Sequence, residues 1–147
     1  MTGGAPDPTS RPAPLRRRFA AMVYDAMIVL AIWLVTTFIA VALNGGEFVA
    51  GPTYQSVLFI ELFGFFAGFW VTRGQTIGML AWRLHVATVT GAPLRLRHAL
   101  LRFIGALLAF ATLGVGYLWR FIDPGKRTWP DLLSDTEVIY TPRAKST

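Results

Sequence analysis

The sequence predicts an all-α membrane fold: three hydrophobic helical segments and a small β-hairpin on the cytoplasmic side. Three observations lead there. Of 147 residues, 54% are hydrophobic and only 15% are charged, against roughly 25% charged in an ordinary soluble domain. Apolar runs cover about 19–43, 54–71 and 99–121, close to or above the roughly 20 residues that span a bilayer. Arginines gather at the ends of these runs rather than within them, as expected where Lys and Arg set topology.

Residues 1–14, "MTGGAPDPTSRPAP", hold four prolines and no apolar run. Such a segment cannot bury enough surface to offset its ordering entropy, so a disordered tail is expected. The first run, 19–43, is too long for the core of a cleaved signal, which has about 7–15 residues. A turn-forming loop without Lys or Arg, "NGGEFVAGP", leads to the second run. Tyr54 and Trp70 stand near the ends of that run, where interfacial aromatics belong.

The region 72–102 carries five arginines and both histidines, His85 and His98. Within it, "WRLHVATVTGAPLRLRH" alternates on either side of a Gly-Ala-Pro turn, predicting a surface β-hairpin. The third run is broken by "TLGVG". It either crosses once or bends near Thr112–Gly116 and returns as a re-entrant hairpin. The positive-inside rule puts Arg16, Arg17 and Arg18 in the cytoplasm. The re-entrant form keeps Lys126, Arg127, Arg143 and Lys145 on that same side. It also lets "TEVIY" pair with the hairpin. The membrane domain is expected over 15–141, with a disordered end at 142–147.

Carboxylates inside apolar runs mark the candidate site. Arg18 and Asp25 lie seven apart, so on a helix they share a face roughly 10.5 Å apart along the axis. A charge at the bilayer centre costs at least about 2.5–3.5 kcal/mol. Asp25 therefore needs a partner, a wet cleft or a proton. It is either an ion or proton site or half of a structural ion pair with Arg18. Glu61 sits deeper, near the middle of the second run, where lost hydration favours its neutral form. It exchanges a proton or bridges helices as a neutral acid. Arg102 and Arg120 bracket the third run. They snorkel to headgroups or pair with Asp25, Asp123 or Asp131. Gly64 and Gly68 form a G-x-x-x-G that lets helices approach closely, within the chain or between copies.

Other chemistries find no support. With no cysteine, there are no disulfides, thiolate metal sites or cysteine nucleophiles. Two histidines are too few for a histidine metal cluster. No nucleophile elbow, P-loop or H-E-x-x-H is present. "GQTIG" at 74–78 lacks the P-loop ending and reads as a tight turn. No enzyme, cofactor or metal is expected, and the net charge of +6 suits a membrane rather than nucleic acid.

Taken together, these residues resemble the RDD family of small bacterial membrane proteins, named for one arginine and two aspartates. An R-R-F-x-A-x-x-x-D opening is matched by Arg17, Arg18, Phe19, Ala21 and Asp25. A G-x-T-x-G element is matched by Gly74, Thr76 and Gly78, followed by Val86, Gly91 and Arg102. The closing pattern is matched by Asp123, Pro124, Arg127, Thr128, Asp131, Leu132, Leu133, Thr136 and Val138. Two positions depart: Pro130 stands where a histidine is common, and Asp135 where a glycine is common. Both weaken any histidine-assisted proton transfer in the tail. The resemblance implies a multi-pass protein of the bacterial cytoplasmic membrane, and the positive-inside rule puts its N-terminus in the cytoplasm. It also implies a transport-related role, including cation/proton exchange. Three short segments cannot enclose a pathway alone, so a homo-oligomer or a membrane protein partner is expected. The alternative is a non-transporting assembly or regulatory module whose Arg and Asp residues are structural.

Overall fold

The computed structural model describes residues 8–143. Of the expected disordered ends, 1–7 and 144–147 lie outside the described residues. The first long helix, α1, covers Leu15–Leu43. Its 29 residues reach roughly 43 Å at the helical rise, more than the ~30 Å hydrocarbon core. It is apolar on every side beyond its first turns, the pattern of a helix surrounded by apolar material. Asn44 ends it, and Gly45 and Gly46 turn the chain with positive φ.

Helix α2, Pro52–Arg73, starts with proline in its first turn and ends at Gly74 in the left-handed conformation. Both α1 and α2 are long and apolar enough to cross a membrane. Leu34, Phe38 and Ile60 are 72%, 76% and 66% exposed on them, an apolar outer surface suited to lipid.

Thr76 then caps the short helix α3, Ile77–Ala81, which lies across the start of α1. Strand β2, Leu84–Thr88, leads through a turn at Gly91 to α4, Leu96–Ala111. Leu113 and Gly114, both with positive φ, stop α4. The chain bends by 109° into α5, Val115–Leu118, and a 3-10 turn at Trp119–Phe121. Two helices are thus candidate spans by length and composition, or up to three if this bent pair counts as one. Helix α6, Trp129–Ser134, and strand β3, Thr136–Tyr140, close the domain. Asp135, between them, has φ +52°. This is the left-handed region that favours glycine and that Asp tolerates better than most residues.

One three-stranded antiparallel sheet has the order β1-β3-β2, where β1 is Arg11–Pro12. Leu84 pairs with Tyr140 and Thr88 with Thr136. Inward residues alternate along β2 and β3, so Leu84, Val86, Val138 and Tyr140 join Ala21, Trp70 and Phe103 in one small core.

Three expectations change. The hairpin within 82–98 is not formed, because its second arm is the N-terminal turn of α4. His98 Nδ1 accepts the Arg95 N–H at 2.9 Å and starts the helix there. The partner of β2 is β3, the "TEVIY" strand that was expected to join this region. The N-terminal segment is structured from Arg11: β1 pairs with β3 and Ala13 is fully buried. Trp70 is a core residue, 7% exposed, rather than an interfacial anchor.

Gly78 shows how tightly α3 meets α1. A Cβ there would collide with the Ala21 carbonyl oxygen and come within 2.9 Å of the Asp25 carboxylate. Gly64 and Gly68, by contrast, face open space, so their small size serves no contact within the described residues. Gly78→Ala is expected to cost about 1–3 kcal/mol through overpacking, read as a lower melting temperature in detergent. Gly64→Ala should leave that temperature within a degree or two of native.

Candidate functional site

Asp131 is the centre of a buried charge cluster. Thr128 opens α6 and places Asp131 at its third position, where Oδ2 accepts the Thr128 N–H at 3.1 Å. Arg18, projecting from the start of α1, meets both oxygens: Nη1 to Oδ2 at 2.9 Å and Nη2 to Oδ1 at 3.1 Å. Such fork geometry is the stronger form of an arginine–carboxylate pair. Arg18 Nη2 also donates to Thr128 Oγ1 at 3.0 Å. From α4, Arg102 Nη1 donates to Asp131 Oδ1 and to Thr136 Oγ1, each at 2.7 Å. The Arg102 guanidinium lies 5.1 Å from the centre of the Trp70 ring, within cation–π range. Three helices thus meet at one carboxylate that is 1% exposed, and β3 joins them through the Thr136 bond to Arg102.

Burial pushes the Asp131 carboxyl upward, but the charges and hydrogen bonds of Arg18 and Arg102 outweigh it. They hold it well below the ordinary carboxylate range. A carboxyl whose folded pKa lies below its unfolded value stabilises the fold above about pH 3.9. That contribution fades only as the pH falls further. Asp131 is therefore a fixed anion at any physiological pH.

Asp25 belongs to a different network. Its Oδ2 accepts the Thr76 hydroxyl at 2.5 Å and its Oδ1 accepts the Gly78 N–H at 2.8 Å. Thr76 Oγ1 in turn accepts the Met79 N–H at 3.2 Å. The G-x-T-x-G element exists for this junction. Gly74 ends α2, Thr76 starts α3, and Gly78 lets the backbone reach Asp25. The expected Arg18–Asp25 unit is corrected accordingly. Both residues are buried on one face of α1, 6% and 2% exposed, but no ion pair joins them. Arg18 is drawn to Asp131, which offers two oxygens to its fork, while Asp25, nearly two turns further along, meets α3.

The other candidates separate as well. Glu61 Oε1 accepts the Thr36 hydroxyl at 2.6 Å, joining α2 to α1. Its Oε2 is buried without a hydrogen-bond partner. Asp123 accepts the Arg127 N–H at 3.0 Å within a turn and stays outside the cluster. Arg120 donates to the Ala13 carbonyl. A cavity of about 400 Å³ lies between α1, α2 and α4. Arg18, Arg102, Asp25 and Thr76 border its polar part, and Val29 and Phe110 its apolar part.

Composition and spacing did not single out Thr128 and Thr136 as arginine partners. Their only signal was their place in the closing pattern around Asp131. Removing the central carboxylate leaves two buried guanidiniums facing each other. Asp131→Asn should therefore cost about 3–5 kcal/mol, seen as lost monodisperse protein on size-exclusion chromatography. Asp123→Asn should elute as native.

No curated protein and no solved structure matches this chain. The RDD family model matches residues 12–135. That span begins just before Arg18 and ends just beyond Asp131. With Asp25 it takes in the arginine and the two aspartates whose contacts hold these helices together, and the chain belongs to the RDD family of membrane proteins.

Proposed function

We propose that this is a transport-related protein of the bacterial cytoplasmic membrane, in which Asp25 takes up and releases a proton or cation. One observation carries this reading. Asp25 borders the cavity between the helices, yet among the described residues only neutral groups hold its carboxylate. Asp131, locked by two guanidiniums, cannot change its charge cheaply. A buried carboxylate with a hydroxyl and an amide as its only partners can, because little Coulomb energy is lost on protonation. Arg18 then acts indirectly, by fixing α1 against α6. Glu61, whose free oxygen lies deeper along the same helix pair, is the second exchangeable acid. The reaction involves no covalent chemistry and no enzyme activity. A second copy completes the pathway, packing on the open Gly64 and Gly68 face.

The same reading makes the third segment re-entrant. Support comes from the sheet, which joins a strand before α1, one between α2 and α4, and one after α6. If that sheet stays on one side of the bilayer, α4 and α5 cannot together cross it once. The arginines nearby put that side in the cytoplasm.

A second reading, a non-transporting assembly or regulatory module, is favoured by how completely Thr76 and Gly78 satisfy Asp25. In that case Asp25→Asn would be tolerated, while a variant of the exposed glycine face would lose a co-purifying membrane protein.

In liposomes with an internal pH dye, the native protein should give proton flux driven by a cation gradient. Asp25→Asn should abolish it while keeping the native elution volume. Unchanged flux in that variant removes Asp25 from the mechanism, and no flux from native protein under any cation removes exchange altogether. The chain has no cysteine, so single replacements report sidedness. Pro8→Cys and Arg143→Cys should react with an impermeant thiol reagent from one side of a vesicle, and Phe48→Cys from the other.

A further inference from the structure

The cavity between α1, α2 and α4 joins two environments that rarely meet without a ligand. At its polar end stand Arg18 and Arg102, 6% and 5% exposed. They share one carboxylate, Asp131. Asp25, the other carboxylate on the lining, is held by Thr76 and Gly78 and pairs with neither guanidinium. Arg102 makes its hydrogen bonds through Nη1 alone, and its Nε is buried without a partner. A buried guanidinium that shares its carboxylate and leaves a donor unpaired is costly unless a further anion meets it. Away from this end the wall is apolar. It runs past Val29 and Ala106 to Leu30, Leu107 and Phe110, which are 55%, 43% and 57% exposed. These last three form a mouth on the surface that α1 and α4 present to lipid.

We infer that this cavity binds one anionic phospholipid of the surrounding bilayer, with its phosphate toward Arg18 and Arg102 and one acyl chain along Val29, Ala106 and Phe110. The volume, about 400 Å³, falls in the roughly 300–1,000 Å³ range of ligand pockets. It has room for an alkyl chain, while the second chain stays in the bilayer. The lipid supplies the missing negative charge and fills apolar space that the side chains leave open. Charge selects the head, because a zwitterionic head brings its own cation to a site already rich in cations. The site does not depend on proton exchange at Asp25.

The test is native mass spectrometry of the full-length protein in detergent. It is titrated with phosphatidylglycerol, with phosphatidylcholine of the same chains, and with palmitate. The first phosphatidylglycerol should bind at least ten-fold more tightly than phosphatidylcholine. Ala106→Phe, which fills the cavity away from the arginines, should abolish that preference. Ala26→Phe, at an exposed position on the lining, serves as the second variant should Ala106→Phe fail to fold. Equal binding of the two phospholipids overturns the proposal. So does undiminished preference in a folded filling variant, or binding of palmitate without phosphatidylglycerol.

Discussion

The structure depends on a single carboxylate shared by two arginines. Asp131 is contributed by a helix of six residues that has no stability alone, since isolated helices below about 12–15 residues are marginal. Beyond its close packing on Gly105 of α4, α6 is held by its charge. It draws Arg18 from one long helix and Arg102 from another, and the hydroxyls of Thr128 and Thr136 complete the donor sites. In a mostly apolar setting the partners cannot trade one another for water. The cluster therefore fixes where α1, α4, α6 and β3 meet, and the small core around Trp70 and Val138 fills in beside it.

A second junction works by shape more than charge. The loop after α2 folds back so that α3 presents an N–H and a hydroxyl to Asp25, and only glycine at position 78 permits that approach. The two aspartates thus do different work. One is a permanent anion at the crossing of four elements. The other is a carboxylate held by neutral groups beside a cavity. The reading of Asp25 as the exchangeable group rests on that difference.

Much of this was legible in the residues. Two spans follow from length and hydropathy, and the broken third run follows from "TLGVG", whose Leu113 and Gly114 take positive φ. The strand "TEVIY" was recognisable by alternation, and the tight turn at Gly74 by composition. Pairing was less legible. Alternation identifies strands without their partners, so the run 94–98 read as a second strand although its turns are helical. Spacing put Arg18 and Asp25 on one face, correctly, but a shared face is not a shared bond. The true partner of Arg18 lies 113 residues away, and nothing local in the sequence announces it. Gly64 and Gly68 of α2 carry no packing among the described residues, a fact only coordinates reveal.

That separation of 113 residues has a consequence during synthesis. Translation proceeds at roughly 5–20 residues per second, so Arg18 precedes its counter-ion by roughly 6–23 seconds. For that interval α1 can enter the bilayer, but its arginine has only headgroups and water to answer it. The domain cannot be assembled helix by helix in the order it is made. Its first helix inserts with Arg18 at headgroup depth, and the later docking of α6 and β3 becomes the step that closes the cluster.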